Sequence, residues 1–151
     1  MGSSFLKEDR HSEHALALLV RKLRLSGELE DDDGRALHGL PMSIRSLGSG
    51  HPLALPQERR ANVFVVRSGL VARATERERG RHIVALYFPG DVAGLDDLAN
   101  QASGRLEAVV ASQIQVVDRA ALLELAANRA SISMALWRST LIETAITREW
   151  L

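Results

Sequence analysis

The sequence predicts a mainly β domain with flanking helices: a double-stranded β-helix, or jelly roll, followed by a long C-terminal helix. Three observations predict it. Between Ile44 and Val117 the apolar residues come in short runs parted by Gly, Pro and charged turns, about seven or eight strands in all. Helical periodicity is confined to the two ends of the chain. The last helical stretch is apolar on two faces, so a single core cannot cover it.

Met1 to His14 is polar and charged, lacks the apolar core of a signal peptide, and is expected to be a flexible N-terminus. Glu13 to Leu25 reads as the first helix, with Leu16, Leu19, Val20 and Leu23 on one face. Ser12 is its candidate N-cap and Ser26-Gly27 its end. A second helix is expected from Asp32 to Leu40, capped by Asp31. Asp32 and Asp33 suit the positive end of its dipole, Leu37 and Leu40 face inward, and Pro41 stops it.

The strand candidates are Ile44–Leu47, Leu53–Leu55, Val63–Val66, Leu70–Thr75, His82–Phe88, Leu106–Ala111 and Ile114–Val117. Ser68-Gly69 punctuates the run from Val63 to Thr75 with a tight bend. Glu76 to Arg81, with Gly80 free to take positive φ, reads as a hairpin tip. Helix returns at Arg119 to Asn128, with Asp118 as N-cap. A final helix is expected from about Ser131 to Leu151. At 100° per residue, Ile132, Leu136, Ile142, Ile146 and Trp150 cluster on one side. Met134, Trp137, Leu141 and Ala145 cluster roughly opposite. One face can lie on the β-domain and the other on the same helix of a second subunit, so a homodimer through Met134, Trp137, Leu141 and Ala145 is expected.

At 151 residues, one domain is the default. The formal net charge is zero, which gives no overall basic surplus for nucleic acid. Arginines do cluster between Arg59 and Arg81, where they read as a solvated hairpin rim. The absence of cysteine excludes disulfides and thiolate metal sites and fits a cytoplasmic location. The apolar runs are too short to span a bilayer, so no membrane partner is expected.

Several motifs, taken in order, carry a resemblance. Val63-Phe64-Val65-Val66-Arg67-Ser68-Gly69 is a strand ending in a Ser-Gly turn, and Gly80-Arg81-His82-Ile83-Val84 is a hairpin return. Phe88-Pro89-Gly90-Asp91-Val92-Ala93-Gly94 leads from a strand into a glycine loop, and Arg105 follows ten residues beyond Leu95. Together they resemble the cyclic-nucleotide-binding domain of the Crp/Fnr superfamily of bacterial transcription regulators. Ala135-Leu136-Trp137-Arg138 and Arg148-Glu149-Trp150-Leu151 resemble the dimerisation helix of a proteobacterial branch. The resemblance implies a β-roll with flanking helices over 15–130 and a dimerisation helix over 131–151. It also implies a helix-turn-helix DNA-binding domain that does not occur within these 151 residues. The expected partners are thus a second copy, a small-molecule effector of unknown identity, and DNA only through that further domain.

Gly90, Asp91, Gly94, Leu95, Arg105 and Leu106 are the ligand-binding candidates that the resemblance implies. A cyclic nucleotide needs backbone N–H groups for its phosphate, an arginine for a charge-assisted bond, and a carboxylate for its ribose hydroxyl. Arg105 stands at the phosphate-arginine position. Leu95 stands where binding members carry glutamate, and Leu106 where they carry Ser or Thr. An unsatisfied ribose hydroxyl would cost on the order of 1–3 kcal/mol, so usual-mode binding of cAMP is not expected. No cofactor, metal site or catalytic constellation is legible, and the chain is not expected to be an enzyme. The alternatives are a cupin-like jelly-roll metal enzyme, against which the lack of His-x-His speaks, and an interaction module with a vestigial pocket.

Overall fold

A computed structural model describes residues 16–25, 27, 29–95 and 104–150, the last ten of these by backbone alone. The expected flexible segment 1–14, the Ser12 cap and Leu151 lie outside the described residues. Helix α1 (residues 16–25) buries Leu16, Leu19, Val20 and Leu23, the face its periodicity predicted. Helix α2 (Asp31–His38) starts one residue earlier than expected and ends two earlier. Its N-cap is Glu30, not Asp31: Asp33 reaches back to accept from the Glu30 N–H at 2.9 Å. Asp31 instead becomes the first helical residue.

Seven strands follow among the described residues, with one short helix between the first two. They are β1 (Met42–Leu47), β2 (Asn62–Ser68), β3 (Val71–Arg77), β4 (Gly80–Tyr87), β5 (Val92–Ala93), β6 (Arg105–Ala108) and β7 (Ser112–Asp118). Two antiparallel sheets result, in the orders β1-β7-β2-β5 and β4-β3-β6. The β3–β4 hairpin closes over Glu78-Arg79, as the sequence predicts. Ser68-Gly69 is the corner at which the chain leaves one sheet for the other. Gly69 has φ +90°, and a Cβ there would stand 2.7 Å from the Ala111 carbonyl oxygen, so only glycine fits the corner.

One strand expectation is corrected, and one strand was missed. Leu53–Leu55 is not a strand: it leaves an isolated bridge, Pro52 to Glu107, and leads into helix α3 (Pro56–Ala61). Pro56 supplies the fixed φ that suits a first helical position. Glu58 accepts from the Leu55 N–H at 3.3 Å and pairs with Arg45 of β1 at 2.6 Å. These bonds to Arg45 and Leu55 hold the Glu58 carboxyl below its ordinary pKa. Strand β5 was not foreseen, because two residues carry no periodicity.

The sheet β1-β7-β2-β5 is a wall between two cores. Val63, Val65, Val92 and Val117 face the helices. Phe64, Val66, Ala93, Ile114 and Val116 face the inside of the roll, where they meet Leu53, Val71, Tyr87 and Leu106. Helix α4 (Arg119–Asn128) has the predicted bounds, and the Asp118 carboxylate accepts from the Ala121 N–H at 3.0 Å. Helix α5 is Ala130–Trp150. Its Ile132, Ala135 and Leu136 are buried in the helical core, while Met134 and Trp137 are 49% and 61% exposed. No helix among the described residues is long and apolar enough to cross a membrane.

Asp33 fastens α2 to the α4–α5 junction. It is buried, and it accepts from Ser131 Oγ at 2.6 Å and Arg129 Nη1 at 3.1 Å. Burial pushes its carboxyl up. The hydrogen bonds from Ser131, Glu30 and Arg129, with Arg129's charge, outweigh that and hold it below its ordinary value. Sequence reading took the acidic run as helix capping alone and missed this tertiary role. Asp33→Asn should cost about 2 kcal/mol at neutral pH, the scale of a charge-assisted bond, measured by urea denaturation. A folded pKa lowered from 3.8 means that the stabilisation is complete above that value and is lost as pH falls through the folded one. The gap between variant and parent should therefore close on acidification.

Candidate ligand-binding site

The glycine loop is mounted on the wall by its own turn. After Tyr87, the Phe88 N–H donates to Asp91 Oδ2 at 2.7 Å and the Asp91 N–H donates back to the Phe88 carbonyl at 2.8 Å. Lys22 of α1 forms an ion pair with Asp91 Oδ1. The Gly90 N–H donates to the Val66 carbonyl at 2.8 Å, and the Val66 N–H donates to the Asp91 carbonyl at 3.0 Å. The turn is thereby welded to the end of β2. Gly90 has φ +92°, and a Cβ there would come within 3.2 Å of the Leu18 carbonyl oxygen on α1. Both carboxylate oxygens of Asp91 are thus engaged within the protein, so Asp91 and Gly90 serve the turn here.

β5 leads to Gly94, which also has positive φ (+95°). Leu95 is half-buried and packs against the helical core. Residues 96–103 lie outside the described ones. The chain returns at Gly104, and exposed Arg105 opens β6. Leu106 is a core residue on the inner face of the roll, with its carbonyl accepting from the Leu53 N–H at 3.0 Å. The two leucines at the expected polar positions therefore serve different cores, one on each side of the wall.

Three arginines depart from the sequence reading: Arg59 and Arg73, expected on a solvated hairpin rim, are turned inward or bonded within the protein, and Arg119 carried no expectation. Arg119, buried at the start of α4, donates through Nη2 to the Gly94 carbonyl at 2.9 Å, the Arg59 carbonyl at 3.0 Å and the Asn62 carbonyl at 3.2 Å. Arg59 of α3 in turn donates through Nη1 to the Gly104 carbonyl at 2.5 Å. Both ends of the loop are thus stapled to α3 and α4. Arg73 is the third. It is buried on β3, directly across from Leu106, with Nε 3.5 Å from the Tyr87 hydroxyl. Val71 lines the roll interior, and strand pleating puts Arg73 on that same face. The signal was present: an arginine two residues after a core valine in a short strand.

On the opposite face of this sheet, buried Glu107 forms an ion pair with Arg81 of β4. Among the described residues no group of three or more His, Asp or Glu side chains could hold a metal ion.

The fold is that of a cyclic nucleotide-binding domain. A domain of that description from Methylobacillus flagellatus KT is 20% identical, with a TM-score of 0.70 over 93% of this chain and 80% of that one. FixK2 from Bradyrhizobium japonicum is 24% identical, with a TM-score of 0.61 over 73% of this chain and 56% of that one. The sensor domain of the transcriptional regulator DNR from Pseudomonas aeruginosa is 16% identical, with a TM-score of 0.59 over 77% of this chain and 80% of that one. No protein-family model and no curated protein sequence matches the chain.

The staple makes a prediction. Arg119→Leu should lower stability by about 3 kcal/mol, because three carbonyls lose a charge-assisted donor. Amide exchange should quicken first around residues 93–95 and 104–106, and a uniform acceleration across the wall would contradict the assignment.

Proposed function

We propose that this chain is the effector-sensing and dimerisation domain of a Crp/Fnr-like cytoplasmic transcription regulator that does not take cAMP in the usual mode. The likeness to a sensor domain and to FixK2 supports the first part. The second rests on one observation: Leu95 and Leu106 stand at the positions expected to serve a cyclic nucleotide's ribose and phosphate, and each packs into an apolar core instead. Neither can accept or donate a hydrogen bond. Gly94 and Arg105 remain as the backbone and guanidinium contacts for an anionic effector.

The same reading gives α5 its task. Ile132, Ala135 and Leu136 hold it to the domain, which leaves Met134 and Trp137 exposed. Leu141 and Ala145, four and eight residues beyond Trp137, continue that stripe in sequence. A second copy laid against this stripe forms the dimer. A ligand that rearranges the glycine loop acts on Arg119, hence on α4, and through the short Arg129 link on α5. DNA is read by a helix-turn-helix domain outside these residues, whose two copies the helix pair spaces.

Calorimetry with cAMP and with cGMP should give no dissociation constant tighter than about 1 μM, roughly −8 kcal/mol. Tighter binding would mean that another group replaces the missing carboxylate. Light scattering at tens of micromolar should give a dimer mass. Leu141→Asp should shift it to monomer, since it buries an unpaired charge at the interface. A monomeric parent protein would remove the dimerisation half of the proposal.

A further inference from the structure

One lysine holds the turn that mounts the glycine loop. Lys7 and Lys22 are the only lysines among the chain's 19 lysines and arginines, and Lys7 lies outside the described residues. Lys22 is therefore the one lysine among the described residues, and it stands against Asp91. An arginine would hold that carboxylate at least as well, because its planar fork can bind both oxygens. What lysine offers instead is a primary amine, which an acyl group converts to a neutral amide. A guanidinium stays charged and resists this change.

The geometry gives such a change a consequence. The Lys22 side chain is 39% exposed and that of Asp91 only 5%. The amine is reachable from solvent, while the carboxylate it serves is not. The lysine stem runs beside Gly90, where an added Cβ would lie 3.4 Å from Lys22 Cδ. Asp91 Oδ2 takes the Phe88 N–H, and the backbone of Gly90 and Asp91 is bonded to Val66 of β2. One buried carboxylate thus closes the turn, and one partly exposed amine balances its charge. Neutralising the amine leaves that carboxylate buried without this counter-ion, a state relieved by taking up a proton or by opening the turn.

We propose that Lys22 is an acylation site and that its acylation loosens the glycine loop from α1. The co-substrate is an acyl phosphate. Asp91 accepts a proton from the ammonium, and the freed Nζ attacks the acyl carbon. The N–C bond forms, the bond from that carbon to the phosphate oxygen breaks, and the amine's second proton leaves with the phosphate. The product is an amide beside a protonated Asp91, so an ion pair has become a neutral pair. Charge-assisted bonds are about twice as strong as neutral ones, so the hold of α1 on the turn weakens. The modification stands whether or not the proposed effector binds; only its effect on that binding rests on the proposed function.

The test treats the folded protein with acetyl phosphate and follows each lysine by peptide mass spectrometry, with the protein in urea as reference. Lys22 should be acetylated at least as fast in the folded protein as in urea. Asp91→Asn should slow that reaction at least about tenfold, because the proton acceptor is gone. If Asp91 only held the ammonium, its removal would instead speed the reaction, since an unpaired amine gives up its proton more readily. Amide exchange at residues 88–94 should be at least about tenfold faster in the acetylated protein and in Lys22→Gln, with the β3–β4 hairpin unchanged and Lys22→Arg like the parent. Slower acetylation than in urea, faster acetylation in Asp91→Asn, or exchange at 88–94 that acetylation leaves unaltered would each overturn the proposal. If Asp91→Asn fails to fold, the rate in folded protein against that in urea and the exchange of Lys22→Gln decide the matter.

Discussion

Strand β2 must satisfy two cores at once, and the rest of the fold follows from that. Its pleat sends Val63 and Val65 to the helices and Phe64 and Val66 into the roll, and all four are at most 1% exposed. Its neighbours repeat the division. Val117 and Val92 stand with the helices, and Val116, Ile114 and Ala93 with the roll, each in register with its β2 partner. A slip of one residue would exchange the two faces and misfill both cores. The wall therefore fixes where the helices sit, how the roll closes, and where the glycine loop begins.

The loop inherits its position from that wall and is held by few polar contacts. Asp91 locks its entry turn to α1 and β2, while Arg119 and Arg59 fasten its two ends to the helices. Each of these side chains carries a charge out of water, and each is tolerated because backbone carbonyls or an opposite charge receive it. Asp33 plays the same part at the other end of the helical layer, between α2 and the start of α5. A continuous set of contacts thus runs from Gly94 through α4 to α5.

The two leucines, Leu95 and Leu106, on either side of the glycine loop, serve the fold itself. Leu106 adds to the roll core and Leu95 to the helical core. Apolar burial at each position stabilises the domain itself, about 25 cal/mol for each Å² removed from water. A polar residue there would need a ligand to satisfy it. Arg73 keeps one cationic group on the inner face of the roll, beside the Tyr87 hydroxyl.

The sequence by itself determined the terminal helices and the strands other than β5, the β3–β4 hairpin, the buried face of α1 and the cap and span of α4. These are local: a periodicity, a glycine, or an aspartate before a helix decides each of them within a few residues. It also carried the glycine loop and the delayed arginine, since their spacing survives without any knowledge of packing. Only the tertiary structure decided the rest. β5 exists because β2 offers it an edge, and the four-residue apolar run of β2 hides its alternation because both faces are buried. Pro56 could have marked α3, but the N-cap there is an apolar leucine, so the usual signal was missing. Arg59 and Arg73 read as solvated rim charges, Asp33 as a capping acid, and Arg119 as the first residue of a helix. Their partners lie 14 to 98 residues away, so only folding could bring to them the groups that make their burial favourable.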